Sequence, residues 1–496
     1  MHDGKVLARQ RFSFLEMTGD RMPPVWNLSR AGRECSDGRG ASPLIAIVGA
    51  GFSGTMAAVH LRRTLPPHIT IGLFERTGRF ARGPAYTDTG APHLLNVRAK
   101  NMSALPDEPN HFDDWLATQS GDEVAHTNAG NFATRRLYGR YLRQLLYREM
   151  VESGGCLRLA SADVTSIMPT AGGYRLGFAN GAGIDAIGVV LAIGNLQTPK
   201  SNDGIVFHNP WSDTATAGLR PDEPVLIVGT GLTMIDIVLD LRAQGFNGTV
   251  IAVSRRGLVP HRHEPVPGLW PAPAFTRDEL NSLPALLRRL RLGAEQAATE
   301  GVNWRAVIDG LRPVTVDIWR SLPRSERNRF LRHLRPYWDI HRHRIAPSVA
   351  DGFDALRRAG TVSISRGRVA GIEAHDGVAD VVLRAPDGSR RAVTVQRVIH
   401  ALGPRGVHDA ETPISDLSER GLVRIDPHGM GVEVTDSFEL VGADGTPTPG
   451  LWALGPIMRG TFWECTAVPD IRVHAATLAR AISRAVAQRE QAITQG

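Results

Sequence analysis

Residues 42–61 read SPLIAIVGAGFSGTMAAVHL, and this stretch decides the fold. Five apolar residues, Leu44 to Val48, run into Gly49-x-Gly51-x-x-Gly54 and then into a helical pattern that stops at Pro66-Pro67. A second apolar run over residues 69–74 follows. The order strand, glycine turn, helix, strand is the opening unit of a doubly wound parallel sheet. In that context the first glycine permits the tight turn and the second lets a pyrophosphate approach the backbone. The third allows close packing of helix on strand, and the helix N-terminus attracts phosphate charge. Glu75 closes the second strand, 26 positions beyond Gly49. A carboxylate there bonds the hydroxyls of an adenosine ribose and repels a 2′-phosphate, which suits FAD or NAD rather than NADP.

A related stretch stands at residues 224–235, PVLIVGTGLTMI, with Met234 where the third glycine belongs. The same 26-position offset, taken from Gly229, lands on Arg255 in the run Ser254-Arg255-Arg256. Arginine forks match phosphate oxygens bidentately, so this unit suits the 2′-phosphate of NADPH. The third glycine serves packing and not phosphate contact, which leaves room for a methionine. Gly229, Gly231 and Thr233 then join Arg255 and Arg256 as cofactor contacts. A decayed unit with two surface arginines is the competing reading.

The two units predict an α/β chain with two Rossmann-like dinucleotide-binding domains, the NADPH domain inserted in the FAD domain, plus a helical insertion. The expected divisions are a disordered N-terminal tail at 1–40 and the first part of the FAD-binding domain at 41–205. The NADPH-binding domain follows at 220–400, with its helical insertion at about 276–358. Residues 401–496 form the second part of the FAD domain and a C-terminal helix. Apolar strands end in Gly194, Gly403 and Gly455; the first two resemble the segments where flavoprotein disulfide reductases and flavin-dependent monooxygenases leave and re-enter the FAD domain, and the third resembles their late FAD-binding strand. A loop-rich stretch reaches about residue 131, and helical periodicity covers 135–152. Met22 offers a second start within the tail.

Composition narrows the function classes. With 42% hydrophobic and 22% charged residues, the chain falls among ordinary globular proteins. It has no run of eighteen apolar residues for a membrane span and no signal-peptide core, so a cytoplasmic protein without membrane contact is expected. The net charge of +7 comes from arginine, with lysine only at Lys5, Lys100 and Lys200. No basic run interleaved with aromatics and no zinc spacing points to nucleic acid or a metal. Three scattered cysteines, Cys35, Cys156 and Cys465, form no Cys-x-x-Cys pair. Thiol-relay reduction therefore has no signature here.

Several further stretches carry a resemblance. They are Arg82-Gly-Pro-Ala-Tyr86, Leu94-Leu-Asn96-Val, Arg136-Leu-Tyr-Gly-Arg140-Tyr141-Leu and Arg342-His343-Arg344. Arg459-Gly-Thr-Phe-Trp463-Glu464 and the two turn motifs complete the set. Together they resemble a bacterial family of FAD/NAD(P)-binding proteins that contains a FAD-dependent urate hydroxylase and a nitrosuccinate-forming aspartate N-monooxygenase. The resemblance covers residues 43–485. It implies a monooxygenase in which NADPH reduces FAD, O2 adds to the flavin as a peroxide, and one oxygen passes to a small polar, anionic, nitrogen-containing substrate. Where flavoprotein disulfide reductases and flavin-dependent monooxygenases usually have an aspartate after this glycine, Gly455 is followed by Pro456. Gly204-x-x-x-His208-x-x-Trp211 partly resembles a Baeyer–Villiger signature, and a linker His and Trp packed for structure is the alternative. A flavoprotein reductase without oxygen transfer, and a non-enzymatic FAD-binding redox sensor, remain alternatives.

The candidate chemistry follows. Asn96 is a candidate for a hydrogen bond to the flavin ring, or for a turn-stabilising role. Trp463 and Glu464 lie just after the late FAD strand, as pocket wall and proton or amine acceptor, or as core packing and salt bridge. Arg342, His343 and Arg344 form an anion-binding and proton-moving run on the insertion, or the wet face of an amphipathic helix. Ser53, Gly194 and Gly455 complete the FAD contacts.

Overall fold

The computed structural model describes Trp26 and residues 42–86, 93–119, 121, 123–195, 204–212, 214–266, 268, 270–403, 406–407 and 413–495. Eleven strands build its two large sheets. In chain order, β1 (Leu44–Val48), β2 (Thr70–Glu75), β3 (Leu157–Ser161) and β4 (Gly188–Leu191) precede the first crossing. Then come β5 (Val206–Phe207), β6 (Val225–Val228), β7 (Val250–Ser254), β8 (Val362–Arg366) and β9 (Arg397–His400). The chain returns with β10 (Glu439–Val441) and β11 (Pro447–Ala453).

The first sheet has the order β10-β11-β4-β1-β2-β3, so strands from both ends of the chain meet in it. The second, β5-β9-β6-β7-β8, is built wholly from the middle. All neighbours in both sheets pair parallel except β10 with β11. Parallel strands are covered on both faces, which is why β1 and β7 read as continuous apolar runs rather than alternating ones. Helix α1 (Phe52–Thr64) is buried from Phe52 through Leu61, with the sheet on one side and the C-terminal helix, Val468–Gln495, on the other. Burial of residues such as Val59 and Leu61, both 0% exposed, contributes about 1.5–3 kcal/mol per side chain.

Two smaller antiparallel sheets, with strands over 164–186 and 368–395, flank the large ones. Inside the stretch expected to be loop, a helix (His111–Leu116) and a hairpin (Val124–Thr127 with Gly130–Ala133) form. The helical periodicity at 135–152 is realised as the helix Arg135–Glu152, capped by Thr134, whose side chain accepts from the Leu137 amide.

Within the segment expected to be a disordered tail, Trp26 is described in contact with the first sheet. Its amide donates to the Leu159 carbonyl at 2.5 Å, its ring packs 6.2 Å from Phe74, and the Arg158 guanidinium lies 5.1 Å over it. An indole brings enough apolar area to hold one point of a polar segment against a sheet edge. The rest of the 1–40 segment lies outside the described residues.

Candidate functional site

The first glycine turn has no space for side chains at the positions that matter. At Gly49, φ is +98° and a Cβ would lie 2.6 Å from the Ala192 carbonyl oxygen. At Gly54 a Cβ would sit 1.8 Å from the Gly49 oxygen. Gly51 caps α1 and has only Gly83 Cα, at 3.8 Å, in front of its missing side chain. No acidic residue stands in the first turn of α1, so its amide dipoles favour an anionic group at the turn. Glu75 Oε2 accepts from the Ala50 amide at 3.1 Å, while Oε1 accepts from the Thr77 amide and hydroxyl at 3.1 and 3.0 Å. The carboxylate is thus fixed at the rim of the turn. These features fit the pyrophosphate and ribose of a FAD.

The end of β11 comes down onto the same helix. Gly455, with φ of +89°, would place a Cβ 2.1 Å from Ser53 Oγ. The next residue, Pro456, occupies the first position of a short 3-10 turn (Pro456–Met458), where its missing N–H costs nothing. Gly194 also takes positive φ, +71°, and a Cβ there would meet nothing within 4 Å. The Asn96 carbonyl accepts from His263 Nε2 at 3.0 Å, so that residue ties the FAD-side loop to the segment after β7. Arg98 Nη2 reinforces the junction by donating to the Glu264 carbonyl at 2.9 Å.

In the second turn Gly229, with φ of +126°, would place a Cβ 2.3 Å from the Ala401 oxygen. Gly231 caps helix α2 (Leu232–Ala243), and space is open in front of it. Met234 is 0% exposed and packs in a core with Val225, Ile227, Val238 and Ile399. It fills the contact that a glycine would have closed by bringing the backbones together. Thr233 sits half-buried in the first turn of α2. The two arginines part company. Arg255 is exposed and has no partner among the described residues. Arg256 donates from Nη2 to the His333 carbonyl at 2.9 Å and stacks 5.4 Å over the Tyr337 ring.

Tyr337 belongs to helix α3 (Arg335–Arg342), which a single π turn (Phe330–Leu334) precedes. One helical turn separates Trp338 and Arg342, and both reach Glu464. The Trp338 indole donates to Oε1 at 2.9 Å, and Arg342 Nε lies 3.2 Å from Oε2. Burial disfavours the Glu464 charge, but Arg342 first, then His343, the Trp338 indole and Arg312, hold its carboxyl below the ordinary range. Burial also lowers the Arg342 guanidinium, which stays protonated at neutral pH. His343 is half-buried with its pKa lowered by burial, so the ring is neutral at pH 7. Arg344, 2% exposed, pairs with Asp309. The Arg342 Nη2 and the Arg344 Nε and Nη1 atoms are buried without a hydrogen-bond partner among the described residues.

The wet-face reading of residues 341–344 therefore fails: both arginines point inward. Trp463 stacks on Trp319 at 4.8 Å and 28°, with Phe330 edge-on at 5.2 Å. Trp319 in turn donates to the Gly460 carbonyl at 2.8 Å. The helical insertion thus closes over residues 459–464 instead of standing apart. Asp309, Trp319 and Trp338 escaped the sequence reading. Only Trp338 left a signal there, its i,i+4 spacing from Arg342. Of the linker pair, His208 stacks on His400 at 4.7 Å, and Trp211 lies 6.0 Å beneath Arg135.

Comparison with known proteins bears on the fold. A family profile described as FAD-NAD(P)-binding matches residues 46–196. No curated protein matches the chain by sequence. Among solved structures, an L-lysine 6-monooxygenase from Pseudomonas syringae superposes with a TM-score of 0.59 at 17% identity, covering 90% of this chain and 100% of its own. The ornithine N-hydroxylase of Kutzneria sp. 744, solved with reduced FAD, NADP+ and L-ornithine, gives 0.58 at 14% identity, covering 89% and 98%. A bacillithiol disulfide reductase from Bacillus cereus gives 0.50 at 15%, covering 89% and 99%. The chain has the two-dinucleotide FAD/NAD(P)-binding fold of flavin-dependent oxidoreductases. The resemblance to urate- and aspartate-oxidising proteins holds at that coarser level. Among the described residues no helix is long and apolar enough to cross a membrane.

Proposed function

We propose that the protein is a FAD- and NADPH-dependent monooxygenase that oxygenates a small, anionic, nitrogen-containing molecule of amino-acid type. The observation that carries the reading is the buried group of Arg342, Arg344 and Glu464, with unpaired guanidinium N–H groups, on elements that close over the late FAD strand. Each guanidinium has one carboxylate partner, but its remaining buried N–H groups are unsatisfied at about 1–3 kcal/mol each, and a substrate carboxylate would satisfy them. The neighbours of similar fold act on ornithine and lysine, each a carboxylate with a side-chain amine.

FAD supplies the electron transfer and oxygen activation when bound, with NADPH as reductant. In this chain Arg342 and Arg344 bind the anionic end of the substrate, and Glu464 holds Arg342 in its rotamer. His343, neutral at pH 7, accepts a proton from the amine. Trp463 walls the site and excludes water. Asn96 and His263 hold the two cofactor units in register. On the NADPH side, Gly229, Gly231 and Thr233 take the pyrophosphate and Arg255 takes the 2′-phosphate.

The test is NADPH oxidation in air with L-ornithine, L-lysine, L-aspartate and urate, assaying oxygenated product against free peroxide. Substrate-stimulated oxidation coupled to product supports the reading. Turnover confined to an artificial electron acceptor would establish a reductase instead.

A further inference from the structure

We infer that Arg366, on the strand next to the second glycine unit, is a ligand for the 2′-phosphate of NADPH. This inference rests on the NADPH reading of that unit. It assigns a residue that lies more than a hundred positions away from the turn in sequence.

In a strand–turn–helix–strand unit, the adenosine ribose lies over the C-terminal end of the second strand, here β7. A 2′-substituent therefore projects past that strand end. What lies there is set by sheet order, and the neighbour of β7 on that side is β8. Parallel pairing puts Arg366 opposite Ser254, the last residue of β7. The Gly367 amide donates to the Ser254 carbonyl at 2.9 Å, which holds the two strand ends together. The chain then turns back at Gly257, whose φ is +62° and whose Cβ, if present, would lie 3.5 Å from the Arg366 Cβ. The segment Arg255-Arg256-Gly257 thus wraps the base of Arg366.

Arg366 is exposed and, like Arg255, has no partner among the described residues. Arg256 is committed elsewhere, to His333 and Tyr337. The two guanidiniums left at the edge of the sheet are therefore Arg255 and Arg366, one from each of two adjacent strand ends. A phosphate dianion between them gains a fork from each, while a bare ribose hydroxyl gains little.

The experiment is calorimetric binding of 2′,5′-ADP and 5′-AMP to the full chain and its variants. The wild type is expected to prefer 2′,5′-ADP. Arg366→Ala should weaken 2′,5′-ADP by about tenfold, leave 5′-AMP unchanged, and keep the wild-type melting temperature. Arg366→Lys, which restores charge without the fork, should recover part of the loss. Unchanged 2′,5′-ADP binding in Arg366→Ala, with a loss in Arg255→Ala, overturns the role of Arg366 alone. An equal loss for both ligands also overturns it. A wild type that does not distinguish the ligands overturns the NADPH reading beneath it.

Discussion

Arg342 and Glu464 form a buried ion pair, Nε to Oε2 at 3.2 Å, between a helix of the insertion and the loop after the last FAD-side strand. The two residues are 9% and 5% exposed, so neither charge has bulk water as an alternative. Removing one partner should therefore cost more than removing both. Glu464→Gln keeps an acceptor for Trp338 but strands the Arg342 charge, with an expected loss of about 3 kcal/mol. The double variant Arg342→Met with Glu464→Gln should be the more stable of the two in urea melts. A double variant that is the less stable would show that the pair is not the source of the effect.

Gly455 and Ser53 make a steric test of the FAD turn. A methyl at Gly455 would lie 2.1 Å from Ser53 Oγ, in a backbone conformation that L-residues rarely adopt. Gly455→Ala should purify with little or no bound flavin, read from its visible absorbance. Ser53→Gly in the same chain should restore part of the flavin content, since it removes the clash and leaves the strain.

Met234 is buried in place of a fingerprint glycine. Restoring that glycine should weaken the protein, not improve it. Met234→Gly removes a core side chain and adds backbone freedom, together costing about 3–5 kcal/mol. A melting temperature at or above that of the wild type would refute the packing role.

The two neighbouring arginines should separate in kinetics. Arg255→Ala should raise the KM for NADPH about tenfold while leaving that for NADH little changed. Arg256→Ala should leave the cofactor preference in place and lower thermal stability instead, because it frees Tyr337 and His333. Equal shifts in preference for both variants would return Arg256 to the phosphate site.

Two histidines make stability pH-dependent. Burial first, with Arg63 second, lowers His60 to about 4, and burial followed by Arg344 lowers His263 to about 3. Both folded values lie below the unfolded value of 6.5, so their contribution is full above about pH 6.5. It is lost as pH falls towards 4 and then 3, on the order of 3 kcal/mol for His60 alone. His263→Gln can keep the donor to Asn96 and removes one titration. Urea melts at pH 7 and pH 5 should show a smaller drop for this variant than for the wild type.

Much of the fold was legible in local pattern. The strand and helix around Gly49 and those around Gly229 are short-range signals of apolar period and glycine position. The helix Arg135–Glu152 was equally plain, with its cap one residue before it. The candidate site was less so. Arg342, His343, Arg344, Trp463 and Glu464 stood out as residue types, but which of them meet was not readable. Their separation of more than a hundred positions leaves no local trace. The aromatic stack on Trp463 came from Trp319, a residue with no motif around it.

By itself the sequence determined that the chain carries two strand-then-glycine turns followed, 26 positions after the first glycine, by opposite charges, Glu75 in one and Arg255 in the other. Those depend on glycines and strand ends within about thirty residues, where backbone geometry leaves few choices. The tertiary structure alone decided that Arg256 holds a helix, that Arg366 stands beside Arg255, and that Arg342 is buried on Glu464. Each follows from sheet order or helix docking, which bring distant residues together through burial of apolar faces that many sequences share. Charge at those meeting points is specific, but the packing that creates them is not written locally.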